Sequence, residues 1–132
     1  MITLEEYYMG RDRAYDLELT HSHRFYADQL LSRVNDLLNI FHADHGYYPG
    51  VRSGWRPASV NAVVPHASKK SKHITCQAID LADNSGTLKQ WTLKNLNLCE
   101  RYGIWVESPE FTPTWVHWQS LPPKSGHRVF IP

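Results

Sequence analysis

Two histidines and an aspartate, His73, Asp80 and His117, are the residues of this chain best suited to chemistry. They stand in the runs Ser71-Lys72-His73-Ile74-Thr75-Cys76-Gln77-Ala78-Ile79-Asp80 and Trp115-Val116-His117-Trp118-Gln119. Two imidazoles and one carboxylate drawn from separate segments are the ligand set of a catalytic zinc site, which keeps a fourth position open for water. The seven-residue spacing of His73 and Asp80 fits no single helical turn. A strand preceded by a turn accommodates it: Ala78 and Asp80 share one face, and His73 comes back from the loop. A lone histidine in an apolar run is more often packed than ligating. The three together carry the reading.

Ser71-x-His73, then Ala78-x-Asp80, then Trp115-Val116-His117 near the end of the chain resemble the family of zinc D-alanyl-D-alanine peptidases. That family includes carboxypeptidases, dipeptidases and phage endolysins that cut the stem peptide of peptidoglycan. The upstream run Ser53-Gly54-Trp55-Arg56-Pro57-Ala58-Ser59-Val60-Asn61 resembles the family's Ser-Gly-aromatic-Arg segment. The resemblance spans residues 50 to 120 in the family's order and implies zinc held by His73, Asp80 and His117. It also implies that Arg56 contacts substrate or transition state, and that the fold is an α+β zinc-peptidase fold. Two positions depart from the pattern. Cys76 stands where the family often has Gly, which reads as a mild change. Thr114 stands where the family carries the acidic general base, three residues before the last histidine.

The base must therefore come from elsewhere. Glu107 is the first candidate, because its strand is expected to pair antiparallel with the one carrying His117. A six-residue loop, 108–113, then sets Glu107 opposite the start of that strand, two positions from His117. Asp83 and Glu110 are the weaker alternatives. Arg56 offers a guanidinium for forked contacts with a carboxylate or oxyanion. On the strand 114–119, Trp115, His117 and Gln119 share one face, so Trp115 and Gln119 are expected to line the substrate cleft. Ser71 is expected to orient the loop around His73. No Gly-x-Ser-x-Gly run accompanies it, so a serine nucleophile is not the reading. The expected function is a zinc-dependent peptidase acting on peptidoglycan stems. The rival is a non-catalytic metal-binding wall or virion protein that keeps the same fold.

Composition sets the bounds. A chain of 132 residues with 42% hydrophobic content, five Trp and seven Tyr is one globular domain. Fourteen basic and 13 acidic side chains leave a net charge of +1, without the basic runs that nucleic acid attracts. Two cysteines, outside any CxxC pair, are no disulfide framework. The first residues are acidic and lack an apolar core, so no signal peptide is expected, nor is any membrane insertion. Synthesis in the cytoplasm, with delivery to the wall by lysis or a virion, fits a phage-type protein. A monomer is expected.

The elements that must position these residues follow from periodicity. Apolar residues at Ala27, Leu30, Leu31, Val34, Leu37, Leu38 and Phe41 predict a core helix over 26–42 that stops before Gly46. His42, Asp44 and His45 near its end, and His21 and His23 before it, read as ordinary surface or helix-end residues. Strands are expected over 51–56, 74–81, 104–107 and 114–119, with a short helix after Pro57 and a longer one over 87–102 closed by Gly103. Residues 1–24 form an arm, and the tail ends in the apolar run Val129-Phe130-Ile131. The sum is α+β: a small antiparallel sheet with helices packed on one face.

Overall fold

Five short strands make the frame: β1 (Val51–Ser53), β2 (Ala78–Ala82), β3 (Trp105–Glu107), β4 (Trp115–Gln119) and β5 (Val129–Phe130). In the computed structural model, which describes residues 1–132, they form one sheet in the order β1-β2-β4-β3-β5. β3 and β5 run parallel, whereas the other pairs are antiparallel. The sheet is mixed, which corrects the purely antiparallel expectation. The apolar tail returns along the free edge of β3, where Val106 N donates to Arg128 O at 2.8 Å and Ser108 N to Phe130 O at 2.7 Å. Arg128 seals that edge by stacking on the Trp105 ring at 4.4 Å. An open strand edge is a template for unwanted pairing, and this tail covers it.

Helices α1 (Leu4–Tyr8) and α2 (Arg11–Ala14) form the N-terminal arm. The long helix α3 (His21–His45) carries the expected apolar seam, all of it buried. It begins earlier than the seam predicts because Thr20 and His23 make a reciprocal capping box, and it ends at Gly46 with φ +79°. The seam meets Ile79, Leu81, Val106, Val116 and Trp118 from the sheet in one core. Each such side chain contributes roughly 1.5–3 kcal/mol on burial. α4 (Ala58–Asn61) follows Pro57 as expected. The single helix expected over 87–102 is instead two, α5 (Thr87–Lys94) and α6 (Leu96–Arg101). Asn95 breaks it at φ −124°, ψ 35°, and its side-chain amide donates to Trp91 O at 2.7 Å. A short polar side chain that bonds its own backbone competes with the helix. No helix is long and apolar enough to cross a membrane.

Two backbone positions steer the chain toward the site. β2 starts at Ala78, not at Ile74 as expected, because Cys76 has φ +61° and turns the chain just before the strand. A left-handed conformation suits Gly and costs other residues roughly 1–2 kcal/mol, so the cysteine is not the mild change it seemed. Gly54 is tighter still: a Cβ there would lie 1.8 Å from the Tyr7 carbonyl oxygen. Gly54→Ala is expected to drive α1 off the sheet, costing about 3 kcal/mol or more. Thermal unfolding checks this, and an unshifted midpoint would contradict the packing described.

Candidate metal centre

The sheet presents one row of side chains across its strands on the face away from the core. Ser53 pairs with Asp80, and Asp80 pairs with His117. The β3–β4 register, Trp105 with Gln119 and Val106 with Trp118, continues by one position to Glu107 and His117. Phe130 then faces Glu107 from β5. Directly opposed residues of antiparallel strands hold their Cβ atoms about 4.5–5.5 Å apart. Asp80 and Glu107 therefore flank His117 from its two neighbouring strands. Glu107 was expected two positions away; the register brings it level.

His73 joins the row from the turn before β2. Arg56 N donates to His73 O at 3.0 Å, which zips the turn to the segment after β1. Ser71 Oγ accepts from His73 N at 3.3 Å, the orienting contact expected of it. The His73 ring donates from Nδ1 to Gly54 O at 2.8 Å, since a carbonyl can only accept. Its Nε2 then faces Asp80 Oδ2 at 3.3 Å. On His117, Nε2 lies 2.9 Å from Gln119 Oε1. The amide is oriented by its other end, where Nε2 donates to Leu121 O at 2.7 Å, so His117 is the donor. His117 Nδ1 faces Asp80 Oδ1 at 2.9 Å.

Both imidazoles thus spend their outer proton on a fixed acceptor and turn a lone pair toward one carboxylate. Lone pairs and a carboxylate repel unless cations stand between them. Protons on both rings would do it, and so would one divalent ion. The three ligand atoms lie within 4.8 Å of one another, against the about 3.4 Å that two ligands of one tetrahedral zinc span. Two imidazole nitrogens and a carboxylate oxygen also match zinc in chemical type. The residues fit the ion.

Burial by itself would raise the Asp80 pKa, but the charges of His73 and His117 and their hydrogen bonds outweigh it and hold the carboxyl well below its usual range. Burial by itself would lower His117, but its hydrogen bond and charge interaction with Asp80, with a smaller contribution from Glu107, raise it. Glu107 is raised chiefly by burial. Its carboxylate makes no hydrogen bond within the protein.

The row opens on a cleft of about 810 Å³ that is also lined by Arg56, Trp115 and Gln119. Arg56 is held by Asn61 Oδ1 at 3.1 Å and Ser53 Oγ at 3.4 Å, and burial lowers its pKa despite the charge of Asp80. Trp115 is half-buried, with Arg52 over its ring at 4.4 Å. Gln119 lines the cleft as expected, but both ends of its amide are engaged, which makes it a positioning residue for His117. Gln119→Leu is expected to weaken zinc binding about 10- to 100-fold. Competition with a chelator measures this, and wild-type affinity would remove Gln119 from the centre.

Other candidates fall away from the cleft. Asp83 accepts from Leu88 N and Lys89 N at 3.0 and 2.9 Å, capping α5. Glu110 is exposed beside Ser108. Thr114 bonds Arg52 at 2.5 Å. His42 stacks on Tyr48, His45 on Phe41, and Asp44 accepts from Trp91 Nε1. His23 caps its own helix. Three further residues shape the site. Gly54 supplies the acceptor for His73, Asn61 ties Arg56 to the loop at Ser68 by donating to its carbonyl at 2.9 Å, and Phe130 closes the row. Gly54 and Asn61 lie in the Ser53–Asn61 run that resembles the family segment; nothing local marks Phe130. No family model matches the chain, and no curated protein or solved structure does so either.

Proposed function

We propose that this protein is a zinc-dependent peptidase that hydrolyses peptide bonds in peptidoglycan stem peptides. One observation carries the reading: His73, Asp80 and His117 converge with their lone pairs inward, beside an unbonded carboxylate, in a cleft large enough for a peptide. When bound, zinc supplies a Lewis acid for the scissile carbonyl and acidifies a coordinated water. The chain's own groups do the rest. Glu107 takes a proton from the attacking water and returns one to the leaving amine. Arg56 meets the negative charge that develops on the carbonyl oxygen. Trp115 offers an aromatic wall to the peptide, and Gly54 and Gln119 keep the imidazoles in register. Delivery to the wall from the cytoplasm, by lysis or in a virion, goes with this reading.

The second reading, a metal-binding wall or virion protein without activity, draws on one observation. The usual base position is Thr114, and its hydroxyl is tied to Arg52 rather than aimed at the cluster. Zymography on purified peptidoglycan separates the two. Clearing that disappears with a chelator and returns with zinc is the expected result; no clearing on any wall preparation favours the second reading. Arg56→Lys is expected to lose about 100-fold or more in rate, because a point charge cannot replace the fork. An unchanged rate would take Arg56 out of the reaction.

A further inference from the structure

We infer that the cleft selects stem peptides whose glutamyl α-carboxylate is free, and that Lys70, Lys72 and Lys124 read that carboxylate. The bond cleavage rests on the peptidase reading above; the selection rests on the cleft's own charges. The chain as a whole is almost neutral, with 14 basic and 13 acidic side chains. The cleft is not. Four cations line it, Arg56, Lys70, Lys72 and Lys124, against the two carboxylates Asp80 and Glu107. Asp80 is already engaged by the two imidazoles. No lysine or arginine of the molecule lies within 4.0 Å of a carboxylate oxygen, so the three lysines have no acidic partner within the protein.

The loop that carries Lys70 and Lys72 is tied down at its backbone, while the Lys70 and Lys124 side chains are exposed. Asn61 is buried, and its amide bridges Arg56 to the carbonyl of Ser68. Ser68 in turn accepts from Lys70 N through its hydroxyl and from Ser71 N through its carbonyl, both at 3.1 Å. Lys72 directly precedes His73, so its Cα is about 3.8 Å from that of a candidate metal ligand. A cleft with low-dielectric walls and one sign of charge focuses its field on an incoming ion. A stem peptide brings carboxylates at its glutamyl residue and at its terminus, and amidation or cross-linking removes them. The lysines would therefore favour unamidated stems.

The probe is one fluorescent stem pentapeptide made in two forms, with its glutamyl α-carboxylate free or amidated. Anisotropy titration against the zinc-loaded protein at low salt is expected to show about fivefold tighter binding of the free form. At about 0.5 M salt the difference should collapse. The triple variant Lys70→Ala, Lys72→Ala, Lys124→Ala should bind both forms alike, and Lys72→Glu should shift preference toward the amidated one. Circular dichroism and zinc content confirm that the variants are folded. Equal binding of the two forms by the wild type, or a preference that survives the triple substitution, overturns the inference. Hydrolysis of the same peptides is followed separately. Selective binding without any cleavage refutes the peptidase reading alone, and cleavage without selectivity refutes the carboxylate preference alone.

Discussion

Glu107→Gln is expected to abolish hydrolysis while leaving the fold and the zinc in place. The side chain lines the cleft beside the cluster, and the β3–β4 register sets it level with His117. Burial raises its pKa above that of an ordinary glutamate, toward the range where a general base works best. The carboxylate forms no bond that the fold requires, so an isosteric amide should pack without strain. Loss of a general base typically costs about 100- to 10,000-fold in rate. The measurement is turnover of a soluble stem peptide by wild type and variant at equal zinc content. Full activity in Glu107→Gln would move the base elsewhere. Asp83→Asn and Glu110→Gln, whose carboxylates serve a helix cap and solvent, are expected to stay active.

His73→Ala and His117→Ala should each bring bound zinc from about one ion per chain to nearly none. Removing either imidazole leaves one nitrogen and one carboxylate, too few for a catalytic zinc site. Elemental analysis after dialysis reads the stoichiometry. Stability offers a second readout that does not depend on activity. An ion that binds only the folded state stabilises it by about 4 kcal/mol at a thousand times its dissociation constant. The wild type should melt at higher temperature with zinc than with chelator, whereas both variants should melt alike in either. Zinc retained by both variants, or a wild type indifferent to zinc, would dismiss the centre.

Local chemistry made much of this molecule legible beforehand. The α3 seam from Ala27 to Phe41 has helical period and nowhere to go but a core, and Gly46 ends it because glycine readily takes the left-handed conformation of a C-terminal cap. The alternation in Trp115–Gln119 set His117 and Gln119 on the cleft face and Val116 and Trp118 on the core face, although Gln119 is itself buried. The runs around His73, Asp80 and His117, by their resemblance to the zinc-peptidase motifs, marked these three as a candidate ligand set. Each of these follows from a period or a functional group contained within a few residues.

Tertiary structure decided whatever depends on partners distant in sequence. Asp80 and His117 face each other because β2 and β4 share a register that no local run encodes. Glu107 moved from the start of β4 to the level of His117 for the same reason: a shift of two positions is invisible until the loop 108–113 is closed. The parallel β5 could not be read from Val129-Phe130-Ile131, since a short apolar run pairs with whichever edge is left open. Gln119 changed from a cleft residue to the acceptor that fixes His117, because Leu121 orients its amide. Gly54 became indispensable only once Tyr7 lay against it. The sequence alone singled out candidate metal ligands and determined which faces must be buried. Register and loop closure, being sums of many weak distant contacts, determined which of those groups meet.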